Sequence, residues 1–222
     1  MDKEGEMVTF KRLLVLITVL ALLIVSSGTG CAPPPKAQVR IGGILADLHQ
    51  LPFFVAQEKG FLAEEGIELK TVGPFADGPT VMNALQANEL DMGFAGVSVA
   101  VTAAARKVDV AIIAGSNEEG TAVIADKAIN SVSDLRGKTV AIPAAGSMQH
   151  ILMGMLLAKN NMTFNDVNII LGTIKYPDMP GALETGKINA YMAPEPFAAQ
   201  GVVRNIGKVL VTSAEMWPGH PC

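Results

Sequence analysis

Four short stretches of this sequence combine small, polar and acidic residues as a small-ligand site needs: Asp47-Leu-His-Gln50, Gly78-Pro-Thr80, Gly96-Val-Ser98 and Gly146-Ser-Met-Gln149. Each falls where a strand-like run gives way to a helix-like one. Helix N-termini at such turns expose unpaired N–H groups and a partial positive charge, and glycine lets a ligand approach the backbone. The competing use of each turn is an ordinary N-cap serving its own helix. The candidate ligand-binding residues are Asp47, His49, Gln50, Gly78, Thr80, Gly96, Ser98, Gly146, Ser147 and Met148, with Glu118, Tyr176 and Glu195 beside them. No Lys or Arg lies inside the four turns, whereas Asp47, Asp77, Glu118, Glu119 and Glu195 flank them. A bare oxyanion would face several carboxylates. A ligand that also carries an amine, such as an aminosulfonate or an aminopyrimidine, would let one carboxylate pair with its nitrogen. Glu195 is the first choice for that partner. His49 and His150 could donate to an anion or stack on a ring, although a lone histidine is more often structural. Tyr176, just before Pro177, is expected as a cleft-facing aromatic.

Catalysis needs more than these residues offer. Gly96-Val-Ser-Val-Ala100 approaches the G-x-S-x-G nucleophile elbow of a serine esterase, but Ala100 replaces the last glycine and no His-Gly-Gly oxyanion segment precedes it. A triad would also have to recruit His150 or His220 from the other half of the chain. A loop serine that binds a ligand uses the same residues with fewer parts. His220 and Cys222 lack further partners at zinc spacing, and no phosphate-cradling glycine fingerprint occurs. The expectation is a binder with no catalytic residue, no metal and no cofactor.

The elements that must position these turns alternate in type. Strand-like runs are Val39–Ala46, Ile67–Val72, Leu90–Ala95, Thr139–Ile142, Val167–Leu171 and Ile188–Ala193. Helix-like runs are Pro52–Lys59 with Gly60 as its stop, Pro79–Ala87, Ser98–Arg106, Met148–Lys159 capped by Ser147, and a turn at Gly181–Thr185. This alternation predicts an α/β fold with largely parallel sheets. The two halves also superpose at one offset of 98 residues: Asn83 to Ala95 lies over Gly181 to Ala193, with Asn88 on Gly186, Ile44 on Ile142, Val72 on Ile170 and Val97 on Glu195. Two similar α/β lobes with a ligand cleft between them follow, drawn at residues 39–125 and 126–222, with a hinge near Ala125–Lys127.

The N-terminus has a different purpose. Lys11 and Arg12 precede the apolar stretch Leu13–Val25, whose helix would rise about 20 Å, short of the roughly 30 Å hydrocarbon core. Residues 1–30 therefore read as an export signal. Ser26-Ser27-Gly28-Thr29-Gly30-Cys31 resembles the lipobox of prokaryotic lipoproteins, with Gly28 where that motif usually has Leu. Residues 31–38 are expected as a Pro-rich tether lipidated at Cys31, which places the protein outside the cytoplasm on the membrane surface. Seventeen basic against twenty-one acidic residues give a net charge of −4, which excludes the basic stripe of a nucleic-acid binder.

Several segments also resemble the nitrate/sulfonate/taurine-type solute-binding proteins of ABC importers, a group that includes binders of the thiamine pyrimidine precursor. They are Leu51-Pro-Phe-Phe-Val-Ala-Gln-Glu-Lys-Gly-Phe-Leu-Ala-Glu-Glu-Gly-Ile67, Leu90-Asp-Met-Gly-Phe-Ala-Gly96, Val132-Ser-Asp-Leu-Arg-Gly-Lys-Thr-Val-Ala141, Gly146-Ser147 and Glu195-Pro-Phe197. The resemblance implies a periplasmic-binding-protein-like fold, a monomer that closes its lobes on a small solute, and delivery to an ABC permease. Members of that family continue past Trp217-Pro-Gly-His-Pro-Cys222 with a segment that returns to the first lobe, so the resemblance implies a truncated first lobe. Some proteins of the same fold group make the thiamine pyrimidine, but those are not exported lipoproteins.

Overall fold

The structure, a computed structural model, describes residues 36–221. The expected export signal, Cys31 and Cys222 lie outside the described residues. From Ala37 onward the chain forms one contact unit built on two sheets.

The first sheet has three strands, β1 (Ala37–Ile44), β2 (Ile67–Phe75) and β3 (Met92–Gly93), all parallel in the order β2-β1-β3. Its helices are α1 (Leu51–Lys59), α2 (Phe61–Glu64), α3 (Gly78–Gln86) and α4 (Val97–Ala105). Proline opens α1, where a missing N–H costs nothing, and Gly60 at φ 80° ends it in the left-handed conformation that other residues disfavour. The second sheet contains β4 (Thr121–Ala125), β5 (Thr139–Ile142), β6 (Asn168–Leu171), β7 (Ala190–Pro194) and β8 (Lys208–Thr212), in the order β6-β5-β7-β4-β8. There β4 runs antiparallel to both β7 and β8. Helices α5 (Met148–Lys159), α6 (Met179–Glu184), α7 (Phe197–Val203) and α8 (Ser213–Met216) cover it.

The second sheet is buried on both faces, as its uninterrupted apolar strands require. Val123, Val140, Ile142 and Met192 point to one side with Leu152, Met153 and Leu157 of α5. Ile124, Ala141 and Tyr191 point to the other with Met179, Leu183 and Phe197. The first sheet has only small clusters around Val81, Ala84 and Leu90 and around Met82, Val99 and Ala103.

The internal repeat is visible in the topology. At an offset of 98 residues β1 ends where β5 ends, β2 covers β6 and β3 covers the start of β7. The spatial orders β2-β1-β3 and β6-β5-β7 match. Asn88 and Gly186 both turn left-handed, at φ 57° and 71°, to end equivalent helices. The match stops at the outer strands. By the same offset β8 falls on Val110–Ala114, which forms no strand, and among the described residues β3 has no partner on its outer side. β4, which fills that place in the second half, has no counterpart among the described residues of the first.

β4 also corrects the expected boundary. The first lobe was drawn to residue 125, yet Thr121–Ala125 pairs entirely within the second sheet, because its unbroken apolar run belongs between β7 and β8. The crossing between sheets comes earlier, through Ser116–Gly120, where Glu119 and Gly120 take φ of 61° and 74°. Ala125, where the hinge was expected to begin, is fully buried in the ladder and pairs with Lys208. The returning segment Trp217–Pro221 runs beside it, with Glu119 N donating to His220 O at 3.1 Å and Glu118 bridging Pro221. Among the described residues, no helix is long and apolar enough to cross a membrane.

Candidate functional site

A cavity of about 830 Å³ opens where the carboxyl edges of both sheets meet, within the size range of small-molecule sites. The first half contributes Asp47, His49, Gln50, Gly78 and Gly96 to its wall, and the second half Ser147, Met148, Gln149 and Tyr176. Ser116 and Asn117 of the crossing complete it.

Each side chain is held by its local fold. Asp47 caps the turn Leu48–Gln50 by accepting from His49 N at 2.9 Å, and the same oxygen lies 2.8 Å from His49 Nδ1. His49 Nε2 lies 2.9 Å from the carbonyl of Glu119. A carboxylate and a carbonyl are both acceptors, so the ring serves both only with hydrogen on each nitrogen. Gln50 is buried and donates to Ile44 O at 2.6 Å. It fits only because position 43 is glycine, where a Cβ would come within 1.8 Å of Gln50 Oε1.

In the second half Ser147 caps α5, accepting from His150 N at 3.2 Å and donating to Ala144 O at 2.8 Å. Gln149 is buried at the foot of the cavity. Its Nε2 donates to Thr121 Oγ1 at 3.1 Å, and its Oε1 accepts from Tyr176 OH at 3.0 Å. Thr121 N in turn donates to Ser213 Oγ at 3.2 Å. Tyr176, stacked on Phe197 at 5.6 Å, is the expected cleft aromatic, and this network fixes it there. Asn117 Oδ1 is buried without a partner among the described residues.

Five of the candidate residues, Thr80, Ser98, Glu118, Gly146 and Glu195, take other partners and do not line the cavity. Thr80 closes the capping box of α3, with its N–H donating to Asp77 Oδ1 at 3.1 Å and its hydroxyl to Asp77 O at 2.7 Å. Ser98 Oγ donates to Gly146 O at 3.2 Å, across the cleft. Glu118 sits beside Pro221 at the crossing. Glu195, the expected amine partner, turns its carboxylate onto Ala199 N at 2.9 Å and so caps its own helix. Gln149, Ser116 and Asn117 were not among the candidates. Gln149 stood inside a recognised turn, whereas the crossing residues carry no strand-to-helix signal.

Charge in the wall is acidic: Asp47, Asp91 and Asp109 line the cavity and no Lys or Arg does. Hydrogen bonds from Arg40, side chain before backbone, hold the Asp91 carboxyl down at about 2. Lys175, next to Tyr176, is already paired with Asp77 at 3.0 Å. The esterase arrangement is not made, since His150 Nδ1 accepts from Gly146 N at 3.1 Å while Ser98 donates to the Gly146 carbonyl.

A model of the NMT1-like family matches residues 32–222. The chain belongs to that family. Among curated proteins, this NMT1-like chain is 26% identical over 189 residues to the nitrate import ATP-binding protein NrtC of Synechocystis, covering 77% of this chain and 28% of that one. It is 27% identical over 178 residues to a putative binding protein of Brucella abortus, covering 68% of this chain and 54% of that one. The chain therefore spans about half or less of the length of these relatives. Among solved structures, the periplasmic aliphatic sulphonate binding protein SsuA of Escherichia coli superposes with a TM-score of 0.69 at 20% identity, over 84% of this chain and 64% of that one. The periplasmic nitrate-binding protein NrtA of Synechocystis gives a TM-score of 0.71 at 19% identity, over 86% and 55%. The fold is the one that these periplasmic binding proteins share.

Proposed function

We propose that this NMT1-like protein captures a small polar solute reversibly between its two lobes and delivers it to an ABC permease, without catalysis. The observation that carries the reading is the cavity lined from both sheets by polar groups already fixed in place. Preorganised groups lower the ordering cost of binding. The names of the relatives, which include nitrate, bicarbonate and sulphonate transport proteins, support a small oxyanion or an organic molecule that carries one. The wall chemistry narrows this further. The N-terminus of α5 at Ser147 and Met148 suits an anionic group, while Asn117 Oδ1 and the acidic wall suit an N–H donor on the same molecule. An aminosulfonate or an aminopyrimidine has both. We propose in addition that residues 1–30 export the chain and that Cys31 anchors it by lipid to the outer face of the cell membrane.

A melting screen tests the reading. Nitrate, bicarbonate, taurine, alkanesulfonates and aminopyrimidines are added in turn to the chain. A ligand present at a hundred times its Kd stabilises by about 2.7 kcal/mol, a shift of about 5–10 °C at this size. No shift from any of them, together with ester hydrolysis lost in Ser98→Ala, sinks the binding reading.

A further inference from the structure

Three hydrogen-bonded contacts join the two halves beside the cavity. Leu48 N donates to Glu195 O at 3.1 Å, Ser98 Oγ to Gly146 O at 3.2 Å, and Lys175 Nζ to Asp77 Oδ2 at 3.0 Å. The offset of 98 residues orders them. Leu48 corresponds to Gly146 and Glu195 to Val97, so the first contact maps onto the second within one residue. Asp77 and Lys175 correspond to each other. Their contact maps onto itself and so sits on the pseudo-two-fold axis that relates the halves.

A position that faces its own equivalent carries the same residue twice in an exact repeat, and two like charges there would repel. Here it carries an acid in one half and a base in the other. The Asp77 side chain is only 5% exposed against 39% for Lys175, and its second oxygen is taken by Thr80 N. The next residues along the chain, Gly78 and Tyr176, line the cavity. Opening the cleft about an axis away from this pair lengthens the Asp77–Lys175 distance.

We infer that Asp77 and Lys175 form the latch of the cleft: a charge pair made only in the closed arrangement, which sets the ratio of closed to open molecules and thereby how long a solute stays. This rests on the reading of the cavity as a site closed by its lobes. Lys175 acts through closure and not through contact with the solute, so it is a positioning residue.

The test reads lobe separation without any solute. Nitroxide labels are placed at exposed Lys70 and Lys187, one on each half, with Cys31 and Cys222 changed to Ser. The unaltered latch gives a short distance population. Lys175→Met leaves the Asp77 carboxylate without its cation and lowers the closed-to-open ratio at least about fivefold. Asp77→Asn, which retains a capping side chain, moves it the same way, and Lys175→Arg does not. Raising salt to about 1 M moves the starting protein toward Lys175→Met and leaves that variant unchanged. Each variant is first shown to melt cooperatively. A Lys175→Met distribution that superposes on the starting one overturns the latch, as does strict additivity of Asp77→Asn and Lys175→Met in the double variant. If solutes shift melting while distances stay fixed, the latch fails and the binding reading stands. If distances respond to Lys175 and to salt but no solute shifts melting, the reverse holds.

Discussion

Asp47 and His49 illustrate how single residues in this cleft take their partners within the protein itself. The aspartate caps its turn and orients the ring, and the ring reaches the crossing carbonyl of Glu119. Local sequence was enough to place Asp47, His49, Gln50, Gly78, Gly96, Ser147, Met148 and Tyr176 near one another, because glycine and short polar residues at strand-to-helix turns answer to neighbours a few positions away. It was not enough for Glu195, whose carboxylate has a nearer N–H on its own helix, nor for Asn117, which the crossing carries to the wall. Asp91 gives a prediction at this scale. Its carboxyl is depressed from 3.8 to about 2 by Arg40, so its contribution to stability is present above its unfolded pKa and is lost as pH falls through about 2. Denaturation by urea across pH 2–6 is expected to show Asp91→Asn less stable than the starting protein at the upper end. The gap closes toward pH 2; a gap independent of pH excludes this linkage.

Elements were legible where their signals are local and hidden where their partners are distant. Met148–Lys159 begins and ends where its serine cap and apolar run place it, and Thr139–Ile142 is the strand its composition describes. β4 escaped notice because nothing nearby announces it: Val123 pairs with Met192 and with Val211, both far along the chain. Yet β4 is the strand on which the second half is assembled, between two antiparallel neighbours and buried throughout. Ile124 is fully buried against Tyr191 and α7, where a Cβ at Gly201 would already meet it at 2.8 Å. Ile124→Ala is therefore expected to cost about 2–5 kcal/mol, read from the urea midpoint at constant slope. A loss below about 1 kcal/mol would show that the site collapses around the smaller side chain.

For the whole molecule, the repeat is a matched pair of three-stranded cores and an unmatched periphery. The second half has a strand on each side of β4's place, while the first leaves the outer side of β3 without a partner among the described residues. Val110–Ala114, which the repeat aligns with β8, form no strand, and Ile112 and Ile113 are exposed at 59% and 73%. An unpaired strand edge and exposed branched residues each tend to recruit neighbouring molecules. The described residues of the first half are therefore expected to limit the durability of a concentrated solution more than those of the second. Ile113→Lys is expected to slow the growth of light scattering at high protein concentration by several-fold while leaving the melting point within about 1 °C; equal scattering rates would place the sticky surface elsewhere. Shelf life and melting temperature, usually treated as one property, are then expected to come apart in this protein, each depending on a different half of its chain.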